Sequence, residues 1–158
     1  MLNIAVIGAG RIGHVHAKTI AAHPGATLAL VADPFGDAAS KLAEVYGARH
    51  TTDVDSVFTD EGVDAVVLAG TGIGNAGLGF GEQVARATGA GIPVVLSSRV
   101  AWGPTVPVYG NGGGVDLVDA GAVASGELNA YQARILTALL VAAETPAGDF
   151  GDRFRSYI

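Results

Sequence analysis

Apolar residues occur along the chain in short unbroken runs, separated by stretches in which they recur every three or four positions. The runs are NIAVIG (3–8), ATLALVAD (26–33), VDAVVLAG (63–70) and IPVVLSS (92–98), with a weaker one at ARHTTD (48–53). Short runs rich in Val, Ile and Leu suit parallel strands covered on both faces. Between them, helical spacing predicts α-helices over 11–22, 36–46 and 77–89. Ile12, Val15, Thr19 and Ile20 share a face of the first, Ala38, Leu42, Val45 and Tyr46 a face of the second, and the third contains Phe80 and Val84. Asp53 is placed to cap a short helix through Val57 and Phe58.

The strongest helical pattern is GELNAYQARILTALLVAAE (126–144), where Leu128, Tyr131, Ile135 and Leu139 share a face backed by Leu136 and Leu140. A last helix is expected through Phe150, Phe154 and Tyr157. Residues 99 to about 115, RVAWGPTVPVYGNGGGV, break the rhythm. So long an aperiodic stretch inside a domain reads as a functional or mobile loop. Strand and helix alternate throughout, which implies a parallel sheet with right-handed crossovers. The expected fold is α/β: one three-layer, Rossmann-like, doubly wound domain with strand order 3-2-1-4-5.

Composition narrows what such a domain can do. Hydrophobic residues make up 49% and charged ones 15%, as in a core-rich globule. A net charge of −6 argues against nucleic acid or an anionic membrane as partner. The absence of Cys excludes thiolate metal sites and disulfides. No apolar run reaches a membrane span and no leader precedes the first strand, so a cytoplasmic location is expected. Lys18 and Lys41 are the only lysines, and all four histidines (His14, His16, His23, His50) lie in the first third. His14 and His16 stand two apart on a helix and cannot chelate one metal ion, so no metal site is expected.

Gly8, Gly10 and Gly13 form G-x-G-x-x-G between an expected strand and an expected helix, and Asp33 ends the second strand 20 residues after Gly13. In such a turn the glycines allow a tight bend, close approach of a diphosphate, and packing of helix on strand. The helix start offers free N–H groups to the diphosphate, and a carboxylate at Asp33 accepts from ribose hydroxyls. Three plainer readings stand beside these. The glycines can serve packing alone, Asp33 before Pro34 can be a turn carboxylate, and Arg11 can be a surface residue rather than a phosphate ligand.

The stretch NIAVIGAGRIGHVHAKTIAAHPGATLALVADP, with AEVYGARHTTDVDSVFTDEGVDAVVLA after it, resembles the cofactor domain of the glucose–fructose oxidoreductase and inositol 2-dehydrogenase family over roughly 1–69. The resemblance implies NAD(H) as cofactor, bound through Gly8, Gly10, Arg11, Ile12 and Asp33. With Gly13, and with Ala69 and Thr71 after the fourth strand, these make up the expected cofactor site. That family's fifth strand ends in a lysine-containing motif, and its lysine is catalytic. Here the strand ends VVLSSRV, without lysine.

From about residue 64 onward the chain instead resembles the C-terminal domain of bacterial type II L-asparaginases. The motifs are VVLAGTGIGN, GIPVVLSSRVAWGPTVP and AGAVASGELNAYQARILTALLVAAE. Together the two resemblances imply an engineered chimera of a dehydrogenase-like half (1–69) and an asparaginase-like half (70–158), sharing one apolar strand. Asn75 matches an asparagine by which that family reaches a neighbouring subunit's active site, although Ile73 replaces a second one. Asn75 can equally cap a helix. The asparaginase nucleophile lies in a Thr-Gly-Gly-Thr turn that does not occur here, and Thr51, Thr52 and Asp53 do not replace it. No catalytic residues are therefore expected. Ser97, Ser98 and Arg99 can face a ligand or satisfy backbone at a strand end, and Trp102 can pack on the sheet edge or at a subunit contact. The expected function is NAD(H) binding without efficient catalysis, with a homodimer as the expected assembly. The alternatives are a recombined fold that binds nothing and, behind it, residual inositol dehydrogenase or asparaginase activity.

Overall fold

The computed structural model describes the whole chain, 1–158, except the side chain of Ile12. Among these residues the five runs and one further short strand form two parallel sheets of three strands each. In the first compact unit, Met1–Asp64, β1 (Leu2–Ile7) pairs with β2 (Ala26–Ala32), and β2 with β3 (Arg49–Thr51). Leu2 stands opposite Ala26 and Ile7 opposite Ala32, with a slip in register between Ile4 and Ala5. Parallel neighbours need a crossover, supplied here by α1 (Arg11–Ala21) and α2 (Gly36–Tyr46). Gly47, left-handed at φ 67°, ends α2, and the Ala48 N–H donates to the Ala43 carbonyl. A 3-10 helix (Val54–Thr59) follows β3, and the Asp53 carboxylate caps it by accepting from the Asp55 N–H at 3.1 Å.

Val6, Leu28 and Val31 pack against Ala17, Ala39, Leu42 and Ala43 in the core of this unit. On α1 the inward positions are Gly13 and Ala17, whereas Val15 and Thr19, expected on the buried face, are exposed. Gly13 shows why: a Cβ there would lie 1.9 Å from the Gly8 carbonyl oxygen. The helix comes too close to the preceding turn for a large side chain. On α2, Val45 is likewise exposed while Ala39, Leu42 and Ala43 are buried. Arg49 donates two hydrogen bonds to Asp60, at 2.8 and 2.6 Å, and Asp60 also accepts from the Gly62 N–H. This clamp holds the Asp60 carboxyl below its ordinary range; the Arg49 hydrogen bond is the main cause, and partial burial opposes it.

In the second unit, Ala65–Ile158, β4 (Val66–Gly70), β5 (Val94–Ser98) and β6 (Val123–Ala124) are parallel in that order. The helices are α3 (Phe80–Gly89), α4 (Gly114–Asp119), α5 (Ala130–Ala142) and α6 (Ala147–Arg155). Val95 and Val123 pack with Ala133, Leu140, Phe150 and Phe154. The two phenylalanine rings stack with centroids 6.0 Å apart. Asn129 and Gln132 form a capping box at the start of α5, satisfying its first N–H groups.

The α/β class and the parallel, Rossmann-like pairing are as expected. The order 3-2-1 is found in the first unit and 4-5 in the second. The 1-4 adjacency lies between units and is not established by these pairings. Two elements were not foreseen, β6 and α4. A two-residue strand carries no period, and α4 begins inside a glycine run. On α5 the expected apolar face is met in part: Leu140 is buried and Leu128 and Leu136 pack against the core, whereas Tyr131, Ile135 and Leu139 are 74%, 55% and 63% exposed and Ala133 and Thr137 are buried instead. Small residues let the helix lie close to the sheet, and Thr137 satisfies its hydroxyl by donating to the Ala133 carbonyl at 2.8 Å.

Candidate functional site

At the carboxyl end of β1 the chain enters the first glycine turn while still paired, with the Gly8 N–H donating to the Ala32 carbonyl at 2.8 Å. The three glycines stand there for three different reasons. Gly8 has φ 95°, a conformation that L side chains rarely adopt. Gly13 is required by contact, because a Cβ would collide with the Gly8 carbonyl. Gly10 is required by neither. Its backbone is extended (φ −75°, ψ −171°), and an added Cβ would meet nothing within 4 Å. Neither backbone strain nor contact forces glycine at that position; it suits the N-cap of the following helix and leaves the backbone open to a group approaching from outside.

Gly10 also caps α1, with no side-chain hydrogen bond to the first turn and no acidic residue in it. The opening N–H groups of this helix are thus left to solvent or to an anion. Arg11, the first helical residue, is exposed beside them. The Ile12 side chain lies outside the described residues.

Asp33 follows β2 and is buried. Its Oδ2 accepts from the Ala9 N–H at 2.7 Å, and its Oδ1 from the Phe35 N–H at 2.8 Å. These bonds hold the carboxyl below its ordinary range, the Ala9 amide contributing most and desolvation opposing. Asp33 is therefore a turn carboxylate and a brace for the glycine turn at once. A carboxylate has about four acceptor sites, so each oxygen keeps capacity for a ligand hydroxyl. The structure thus brings Gly8, Gly10, Arg11, Gly13 and Asp33 to one end of the first sheet. The Ala9 amide is the member that sequence reasoning missed; a main-chain donor leaves no mark in residue identity.

Ala69 and Thr71 belong to the second unit. Ala69 is exposed at the end of β4, and the Thr71 hydroxyl donates to the Asn75 carbonyl at 3.2 Å. This second glycine turn is filled by its own chain. A Cβ on Gly70 would lie 2.8 Å from the Asn75 oxygen, and one on Gly113 would lie 2.3 Å from the Tyr109 oxygen. The Asn75 Oδ1 accepts from the Gly114 N–H at 3.3 Å, so this side chain caps α4, a helix 39 positions further on. Ser97 and Ser98 are buried and donate to the Leu128 and Gly72 carbonyls, which settles them as backbone partners at the strand end. Arg99, His14, His16 and Trp102 are exposed, and the described residues hold no cluster suited to a metal ion.

The Glutaminase/Asparaginase C-terminal domain family matches residues 18–152. The chain belongs to that family. The match begins well before residue 64, where the sequence motifs placed the start of the asparaginase-like part, and so overlaps the dehydrogenase-like segment. A probable L-asparaginase of Deinococcus radiodurans is 42% identical over 82 residues, which is 51% of this chain and 24% of that protein. An inositol 2-dehydrogenase of Rhizobium meliloti is 40% identical over 67 residues, 42% of this chain and 20% of that protein. A myo-inositol dehydrogenase crystal structure from Corynebacterium glutamicum superposes with a TM-score of 0.46 at 41% identity, covering 60% of this chain and 27% of that one. Relatives of two kinds thus match one chain, as a chimera of the two families requires. The chain spans about a quarter or less of the length of these curated relatives.

Proposed function

We propose that the β1–α1 turn binds NAD(H), or the adenine nucleotide part of it, and that the chain performs no efficient chemistry on it. Gly10 carries this reading, as a glycine that neither strain nor contact requires and whose open outer side suits the close approach of a dinucleotide backbone. In this reading the uncapped amides of α1 and Arg11 hold the diphosphate, and Asp33 accepts from the ribose hydroxyls. Bound NAD(H) supplies hydride chemistry, which also needs a substrate domain and proton-transfer groups. The sequence motifs that provide those groups in either family are missing. We further read the chain as an engineered join of the two parent segments, cytoplasmic in location. The exposed Tyr131, Ile135 and Leu139 on α5 support self-association.

A second reading, a recombined fold without ligand, is favoured by the two backbone bonds that already occupy Asp33. Titration of NADH by its fluorescence, with the thermal midpoint followed in parallel, separates the two. Saturable binding stabilises by about 2.7 kcal/mol at ligand 100-fold above Kd. No shift at millimolar NADH establishes the second reading.

A further inference from the structure

The second unit contains a cleft of about 340 Å³ at the entry ends of β5 and β6, and none of its residues belongs to the β1–α1 turn. Its apolar walls include Ile92, Val94, Val123 and Phe150, and Arg155 of α6 stands among its lining residues. Gly148 lies at the α6 rim of the cleft, where an added Cβ would meet nothing within 4 Å. One helical turn on, a Cβ at Gly151 would touch the Arg155 guanidinium at 3.2 Å. The guanidinium is therefore folded back along its own helix over a glycine floor. Its one ion pair, from Nη2 to Asp152 at 2.8 Å, is exposed on both sides, at 58% and 89%. An exposed i,i+3 pair of this kind contributes little and exchanges readily. The remaining N–H donors of the fork are left for another acceptor.

We propose that this cleft binds a small monocarboxylate with a compact apolar body. The Arg155 fork takes the carboxylate, and the Ile92, Val123 and Phe150 wall takes the body. A planar guanidinium matches a carboxylate in two parallel hydrogen bonds, which a single pair with Asp152 does not use. The volume falls within the range of small-molecule sites.

The test is a titration of the full chain with millimolar benzoate, followed by amide resonances. Saturable shifts at Gly148, Gly151 and Val123 are expected, together with at least a tenfold weaker response to uncharged benzyl alcohol. Arg155→Gln removes the charge at an exposed position and is expected to weaken benzoate about tenfold or more. Gly148→Leu adds a side chain in open space at the rim of the cleft and is expected to weaken binding while the thermal midpoint is kept. Absence of saturable shifts overturns the proposal, as does equal binding by Arg155→Gln or equal response to benzyl alcohol.

Discussion

The two glycine turns follow parallel strands of similar sequence and differ in what fills them. In the second, the chain fills the space itself: the Thr71 amide and hydroxyl turn to the Asn75 carbonyl, and the Asn75 side chain caps α4. In the first, the bend is stiffened from below by Gly13 and Asp33, while its outer side at Gly10 stays clear. A turn that satisfies its own polar groups is structural. The first turn is braced from within and leaves the opening N–H groups of α1 without a side-chain cap.

Four substitutions or conditions break or sharpen this contrast. The largest effect is expected from Gly13→Ala, which drives a methyl group into the Gly8 carbonyl. It should cost about 3 kcal/mol or more in denaturant unfolding, and with it the NADH response. Gly10→Ala should cost no more than about 1 kcal/mol, the difference between the two residues at a helix N-cap, yet weaken NADH about tenfold, because the new methyl group occupies the ligand's approach. Unchanged NADH affinity would remove Gly10 from the site.

Asn75→Ala deletes one long hydrogen bond to α4, so a loss of about 1 kcal/mol is expected, with NADH binding untouched. The smallest effect concerns pH. Asp33 and Asp60 are both held below their ordinary value of 3.8 in the folded chain. Each therefore contributes stability above that value and loses it as pH falls through the lowered folded value. Acid titration should loosen the first unit in that range, and Asp60→Asn should flatten the dependence measured by its unfolding midpoint.

Much of the architecture was legible because both periods are strong in this chain. Unbroken Val, Ile and Leu runs marked β1, β2, β4 and β5, and Asp53 announced the 3-10 helix that it caps. Burial on helices was less legible. The apolar residues of α5 suggested an inward face through Tyr131, Ile135 and Leu139, but the buried face runs through Ala133, Thr137 and Leu140. Close packing favours small residues at a helix–sheet contact, and hydrophobicity alone does not encode separation. The role of Asn75 was half legible: its capping chemistry is in its type, while its partner, 39 positions away, is not.

By itself, the amino-acid sequence determined the α/β class, the parallel pairing of the runs, the glycine fingerprint with its acidic companion, and the likeness to two families. These rest on local spacing and residue type, which need no knowledge of distant contacts. Tertiary structure alone decided which of the three fingerprint glycines the fold requires, that Asp33 braces Ala9, and that the second turn closes on itself. Such distinctions depend on where backbone atoms from separate segments come to lie, and a main-chain amide has the same identity at every position.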